Sequence, residues 1–179
     1  MTSYAFDLKP CSRLTVGTVG PPGQRTFYLQ GMKDRNVISL VIEKEHARAL
    51  AEGIDELLKE VQEQYPPDYI AEETKFNMDL LDPVSAEFRV GRLGLGYDAD
   101  EDLLVVFVQE IGEEEESPES DAMVGRFWAS REQMGALSRH AKKIAAAGRP
   151  ICALCGEPID PDGHFCPPSN GHQVTNILQ

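Results

Sequence analysis

The chain has 179 residues, 41% of them hydrophobic, and a formal net charge of -13 at pH 7. That length supports one sizeable core, or a duplicated one carrying a small appendage, and excludes two large independent domains. The acidity argues against extended binding to nucleic acid, whose phosphates need a positive face. No run reaches the roughly 18 apolar residues of a membrane helix, and the opening MTSYAFDLKP lacks the basic start and apolar core of an export signal.

Of the four cysteines, Cys11 stands alone beside Pro10 and Ser12, in a loop with no neighbouring base, and reads as inert. The other three cluster with histidines near the C-terminus, which favours metal binding in a reducing cytoplasm over a disulfide framework.

Alternating apolar residues predict strands at about 13–20, 25–31 and 36–42, with turns at Gly20-Pro-Pro-Gly23 and near Lys33-Asp34-Arg35-Asn36. Gln24 and Arg25 lie on the first of these turns, and Gln30 lies in the second strand. A helix is predicted at about 44–64, with Ala47, Leu50, Ile54, Leu57, Leu58 and Val61 on one face and Pro66-Pro67 as its stop. The connector at about 65–85 carries Tyr65, Tyr69, Ile70, Phe76, Met78 and Leu80, too apolar for a free linker, so it is expected to lie across both halves.

The same order then repeats. Phe88-Arg-Val90-Gly91-Arg-Leu93-Gly94 follows the pattern of Leu14-Thr-Val16-Gly17-Thr-Val19-Gly20, and both contain V-G-x-aliphatic-G. Strands at about 86–97, 102–111 and 123–129 are predicted, the second containing Gln109 and separated from the third by the acidic run from Glu113 to Ala122. Ser130-Arg-Glu-Gln133 is a capping box opening a helix that buries Met134, Leu137, Ala141 and Ile144, with Gly148 and Pro150 as its end. Glycine within a strand marks a bulge or a close backbone approach more often than a phosphate loop, which needs strand, glycine loop and helix in succession.

The fold class that follows is α+β. A duplicated βββα unit forms an antiparallel sheet or partly closed barrel with two helices, and a C-terminal zinc knuckle is appended. Residues 1–150 make the duplicated domain, with copy one at about 13–64 and copy two at about 86–148; residues 151–179 make the tail.

In that tail, Cys152-Ala-Leu-Cys155-Gly156 aims two sulfurs at one point, and His164-Phe-Cys166 adds further ligands a short loop later. Cys152, Cys155, His164 and Cys166 are the expected shell of a structural Zn²⁺, with His172 as the alternative to His164. His46 and His140, on the helices, have no nucleophile beside them in sequence. Arg126, Arg131, Arg139, Lys142, Lys143 and Arg149 concentrate positive charge around the second helix, whereas Asp98, Asp100, Glu101 and Asp102 belong to an acidic stretch. A solvated face beside a solvated acidic loop accounts for this asymmetry; a basic patch for an acidic partner is the sharper reading.

The block Gly17-Thr-Val-Gly20-x-Pro-Gly-Gln24-Arg25-Thr-Phe-Tyr28-Leu-Gln30, together with the ending Cys152-x-x-Cys155-Gly156, Asp160-Pro161-x-Gly163-His164-x-Cys166-Pro167 and Asn170-Gly171, resembles an uncharacterised bacterial family, domain of unknown function 3090. The resemblance spans almost the whole chain and implies no activity. Members of that family commonly end in a basic tail after the Asn-Gly pair, where this chain continues from His172 to Gln179.

Two functions follow from the residues. The first is a cytoplasmic, non-enzymatic adaptor whose zinc knuckle stabilises a docking surface for a protein partner. The second is an enzyme acting on a small or phosphorylated molecule held between the copies, with Gln24, Arg25, Gln30 and Gln109 as binding residues and the two glutamines facing each other at the seam.

Overall fold

The structure, a computed structural model, describes residues 3–21, 23–72, 74–112, 122–147, 152–156, 159 and 163–166. In chain order it forms β1 (Phe6–Leu8), β2 (Arg13–Val19), β3 (Thr26–Lys33), β4 (Asn36–Ile42), α1 (Lys44–Gln64), β5 (Ala86–Asp98), β6 (Leu103–Glu110), β7 (Val124–Ala129) and α2 (Arg131–Ala146). Two successive βββα stretches are therefore present, and each lies close to its predicted bounds. β1 is the addition. Three residues are too short for alternation to signal a strand, and β1 exists because β7 offers it a parallel edge, pairing Phe6 with Gly125 and Leu8 with Phe127.

The strands form one seven-stranded sheet in the order β1-β7-β6-β5-β4-β3-β2. It is mixed, which corrects the expectation of a purely antiparallel sheet: β4 pairs with β5 in parallel, as β1 does with β7. The physical reason is the connection. The chain between β4 and β5 contains α1 and the connector, long enough to return to the starting end of the sheet, and a crossover of that length is what parallel neighbours require.

The expected barrel does not close. β1 and β2 are the two edges and do not pair. Residues 9–12 join them as a short strap in which Cys11 N–H bonds the Trp128 carbonyl and Ser12 N–H bonds the Met32 carbonyl, each at 2.7 Å. The sheet nevertheless curls strongly. Gly31 on β3 and Phe127 on β7 are four strands apart in the sheet order, roughly 19 Å in a flat sheet. Yet a methyl group at Gly31 would lie 2.4 Å from the Phe127 ring.

The concave side holds the core. Leu14, Val16, Leu29, Leu40, Val106 and Phe127 are buried there, covered by Ala47, Leu50 and Ile54 of α1 and Met134, Leu137 and Ala141 of α2. α1 begins at Glu43, whose side chain accepts the His46 amide while His46 Nδ1 accepts the Glu43 amide at 3.1 Å, a reciprocal box that assigns His46 to capping. α2 keeps the serine half of its predicted box, Ser130 Oγ accepting the Gln133 amide at 3.2 Å. The predicted stop at Gly148 and Pro150 lies outside the described residues, as does the acidic run from Glu113 to Asp121.

The glycines of the repeated strand pattern make close contacts. A methyl group at Gly17 would meet the Leu80 side chain at 2.5 Å, and one at Gly91 the Ile111 backbone at 2.8 Å, beside the register shift between Val90 and Arg92. Gly17 thus lets the connector lie flat on β2, and Gly91 admits another backbone at a bulge.

The connector is fastened by polar groups that the sheet's outer face presents. Thr15 Oγ1 donates to the Met78 carbonyl at 2.6 Å and Arg13 to the Asp79 carbonyl at 2.7 Å. Gln30 holds Leu81 at both ends: its Nε2 donates to the Leu81 carbonyl at 3.1 Å, and its Oε1 accepts the Leu81 amide at 2.7 Å. At its other end the connector reaches the second stretch, where Tyr65 lies against Tyr97 at 5.3 Å between ring centroids. Gln30→Leu removes both amide bonds and leaves backbone groups of Leu81 without partners, an expected loss of about 1–3 kcal/mol. Urea unfolding checks the loss, and the Leu81 amide should exchange faster with solvent in the variant.

His140 lies on α2 close to the Val16 backbone of β2. Burial pulls its pKa below the ordinary 6.5, with Lys143 assisting and the Val16 carbonyl opposing. The unfolded chain therefore takes up a proton near pH 6.5 that the folded chain resists, so acid favours unfolding. The loss begins near pH 6.5 and stops growing once pH falls beneath the lowered folded pKa. Denaturant unfolding at pH 7.5 and 5.5 should show a smaller acid loss in His140→Gln than in the native chain.

Candidate metal centre

The tail begins a few residues after α2, at a helix end that the β2–β3 turn helps to fix. Arg25 Nη1 donates to the Ala147 carbonyl at 2.7 Å, placing a cation at the negative end of the helix where the last carbonyls lack intrahelical donors.

Cys152 and Cys155 form the first arm. Gly156 N–H bonds the Cys152 carbonyl at 2.9 Å, and Leu154 N–H points at Cys152 Sγ at 3.4 Å. Gly156 has φ +76°, the left-handed conformation that glycine adopts without strain, which turns the chain back after the second cysteine. The backbone amides of Cys155 and Leu154 aimed at its sulfur pull the Cys152 thiol down to about 6, although its burial opposes this. The shift favours the thiolate, the form that ligates metal.

The second arm supplies His164 and Cys166 after Gly163, which has φ +98°. The three sulfurs and one imidazole nitrogen all lie within 4.8 Å of one another. Cys152 Sγ is 3.8 Å from Cys166 Sγ, and Cys155 Sγ is 3.4 Å from His164 Nε2. A tetrahedral ion with ordinary metal–sulfur and metal–nitrogen bonds separates two sulfurs by about 3.8 Å and a sulfur from a nitrogen by about 3.6 Å. The donor set fits. A disulfide would need about 2.05 Å, and all four cysteines are free. His164 directs Nε2 to the cluster, while its Nδ1 is buried without a partner among the described residues. His172, the alternative ligand, lies outside the described residues.

Residues 5–166 match the family described as a protein of unknown function, DUF3090. The chain belongs to the DUF3090 family. The match includes all four clustered donors and stops before His172. No curated protein and no solved structure matches the chain.

The other polar candidates of this DUF3090 chain are placed apart. Gln30 on β3 and Gln109 on β6 have β4 and β5 between them, and the Gln30 amide bonds Leu81 and Ser39 rather than Gln109. Gln30 is buried beneath the connector, 3.0 Å from Ser39 Oγ, while Gln109 stands opposite Arg92 and Val124. Arg25 is at the C-terminal end of α2, and Gln24 closes its turn through its backbone, donating to the Pro21 carbonyl. Cys11 is buried, its thiol pushed up to about 12 by desolvation, which agrees with its reading as inert.

Asp98 at the end of β5, and Glu101 and Asp102 beyond it, are engaged with cations. Lys9 bridges Asp98 and Glu101 at 3.4 and 3.1 Å, and Asp102 accepts from Arg131 at 2.7 Å and from Tyr97 at 2.8 Å. Part of the basic face of α2 is likewise spent internally, Lys142 pairing with Asp55. Part of the charge asymmetry is thus taken up in ion pairs within the chain, rather than in a solvated face beside a solvated loop. The Arg131 constellation escaped sequence reasoning because its partners Asp102, Tyr97 and the Tyr65 carbonyl come from distant segments with no common spacing.

Two tail residues were also missed, and for them a signal existed. Leu154 lies between Cys152 and Cys155, and Phe165 between His164 and Cys166; they are 65% and 61% exposed. A large apolar side chain between two metal ligands has its backbone held at the metal and little freedom to retreat into a core.

Proposed function

We propose that this chain is a non-enzymatic adaptor in a reducing compartment, the cytoplasm, whose C-terminal residues close around a structural Zn²⁺ and present Leu154 and Phe165 to a protein partner. The observation that carries this reading is the donor set of Cys152, Cys155, His164 and Cys166 within one coordination sphere. Three thiolates and one imidazole complete a tetrahedron with no position for water or substrate, and the thiolate charge dampens the Lewis acidity that hydrolysis requires. What the ion supplies is rigidity. With a ligand on each side of Leu154 and of Phe165, it fixes two apolar side chains in water, and such side chains gain free energy when a partner covers them.

A protein partner suits the chain better than nucleic acid, because a net charge of -13 repels phosphate. Among the described residues, no helix is long and apolar enough to cross a membrane.

Affinity capture from native extract should compare the metal-loaded chain with its Leu154→Glu/Phe165→Glu variant, which keeps all four ligands. One protein recovered in stoichiometric yield by the first and lost by the second is the expected result. Equal recovery by both, or no specific recovery by either, would sink the proposal.

A further inference from the structure

We infer that a groove between α1, the connector and the first turns of α2 binds a small organic anion, a molecule with an apolar body and a phosphate or carboxylate. The groove has a volume of about 470 Å³, within the range that holds small ligands. Its apolar lining includes Leu58 and Pro67, and its charged lining comprises Lys59, Arg131 and Arg139 with the acids Glu72 and Glu132. Gly135 also lines it; a methyl group there would lie 3.4 Å from Arg139 Nη1 and 3.9 Å from Leu58, ordinary contact distances.

What favours an anion is one unpartnered donor, on Arg131. Tyr69, which also lines the groove, donates its hydroxyl to Asp102 at 3.5 Å. Arg131 gives its Nε to Asp102 and its Nη2 to the Tyr65 carbonyl and the Tyr97 hydroxyl, which lock the guanidinium in place. Its Nη1 is buried with no hydrogen-bond partner. Neither Lys59 nor Arg139 forms an ion pair among the described residues. A buried guanidinium nitrogen without an acceptor is costly, and a ligand oxygen is the group that would relieve it. A preorganised arginine fork suits both carboxylate and phosphate.

The test uses the full-length, metal-loaded chain and four probes: phenyl phosphate, phenylacetate, inorganic phosphate and benzyl alcohol, followed by backbone amide NMR. Saturable shifts at Leu58 to Gln62 and Arg131 to Gly135 are expected with phenyl phosphate or phenylacetate, and the stronger of the two identifies the anionic group. Inorganic phosphate and benzyl alcohol, each lacking one half of the ligand, should bind about tenfold or more weakly. Arg131→Lys should weaken the preferred probe, but it also loosens the Asp102 and Tyr97 contacts. Lys59→Glu/Arg139→Glu leaves the Arg131 contacts in place and should weaken the probe by about tenfold or more, with far-UV circular dichroism showing the fold retained.

Absence of saturable shifts with both aromatic anions would overturn the inference. Benzyl alcohol binding as tightly as the anions, or an unchanged affinity in the double variant, would do the same. The groove does not involve the metal ligands, so this failure leaves the adaptor reading intact.

Discussion

Cys155→Ser is expected to lower zinc in the purified chain from about one ion to below about a tenth per molecule, measured by elemental analysis, while the sheet and helices stay folded. A hydroxyl is a poor replacement for a thiolate, and the three remaining donors cannot close a tetrahedron. Among the described residues of the tail, Cys152 and Cys166 are the buried hydrophobic positions, and Leu154 and Phe165 face water. The tail's folding free energy is therefore largely metal-binding free energy, which for small zinc modules is on the order of 10 kcal/mol. The body has a separate core that ends at Ala145, so far-UV circular dichroism should be almost unchanged. Amide NMR signals of residues 152–156 and 163–166 should lose dispersion, and chelation of the native chain should reproduce the effect. His164→Ala should behave like Cys155→Ser, whereas His172→Ala should retain zinc; the reverse result would move the fourth ligand to His172.

The largest loss of stability in the body is expected at Phe127. Its ring is fully buried, 4.8 Å from the Phe6 ring between centroids, and it fills the space above Gly31 across the curl of the sheet. Phe127→Ala should cost about 3–5 kcal/mol, because the rigid sheet on both sides cannot collapse into the cavity. The complementary change, Gly31→Ala, puts a methyl group 2.4 Å from the ring and should cost about 1–3 kcal/mol through overpacking. Combining Gly31→Ala with Phe127→Leu brings a small addition and a small removal to one site. The double variant should be more stable than the sum of its single changes predicts by about 1 kcal/mol, read from urea midpoints. Strict additivity would mean that β3 and β7 do not meet across the core, and the curl described above would be wrong.

Much of the architecture was legible because its signals are local. The apolar face of α1, the alternation in β2 to β4 and β5 to β7, and the Ser130 cap each depend on residues within a few positions of one another. The tail was legible for the same reason, since the donors Cys152, Cys155, His164 and Cys166 fall within fifteen consecutive positions. Gln30 shows where such reasoning ends. As a polar residue in a strand it invited a ligand-binding role, yet its side chain fastens Leu81 of the connector, a partner 51 positions away that no spacing reveals.

By itself the sequence determined two βββα stretches and a compact cluster of soft metal donors, because backbone periodicity and ligand spacing are written within short windows. The tertiary structure alone decided that the two stretches join through a parallel pair, that β1 is added beside β7, and that the sheet curls until Phe127 covers Gly31. It also decided that Arg131, Tyr97 and Asp102 meet beside a groove. These outcomes rest on contacts between distant segments, which depend on how the crossover through α1 and the connector returns the chain to the sheet and on how side chains fill the space that remains.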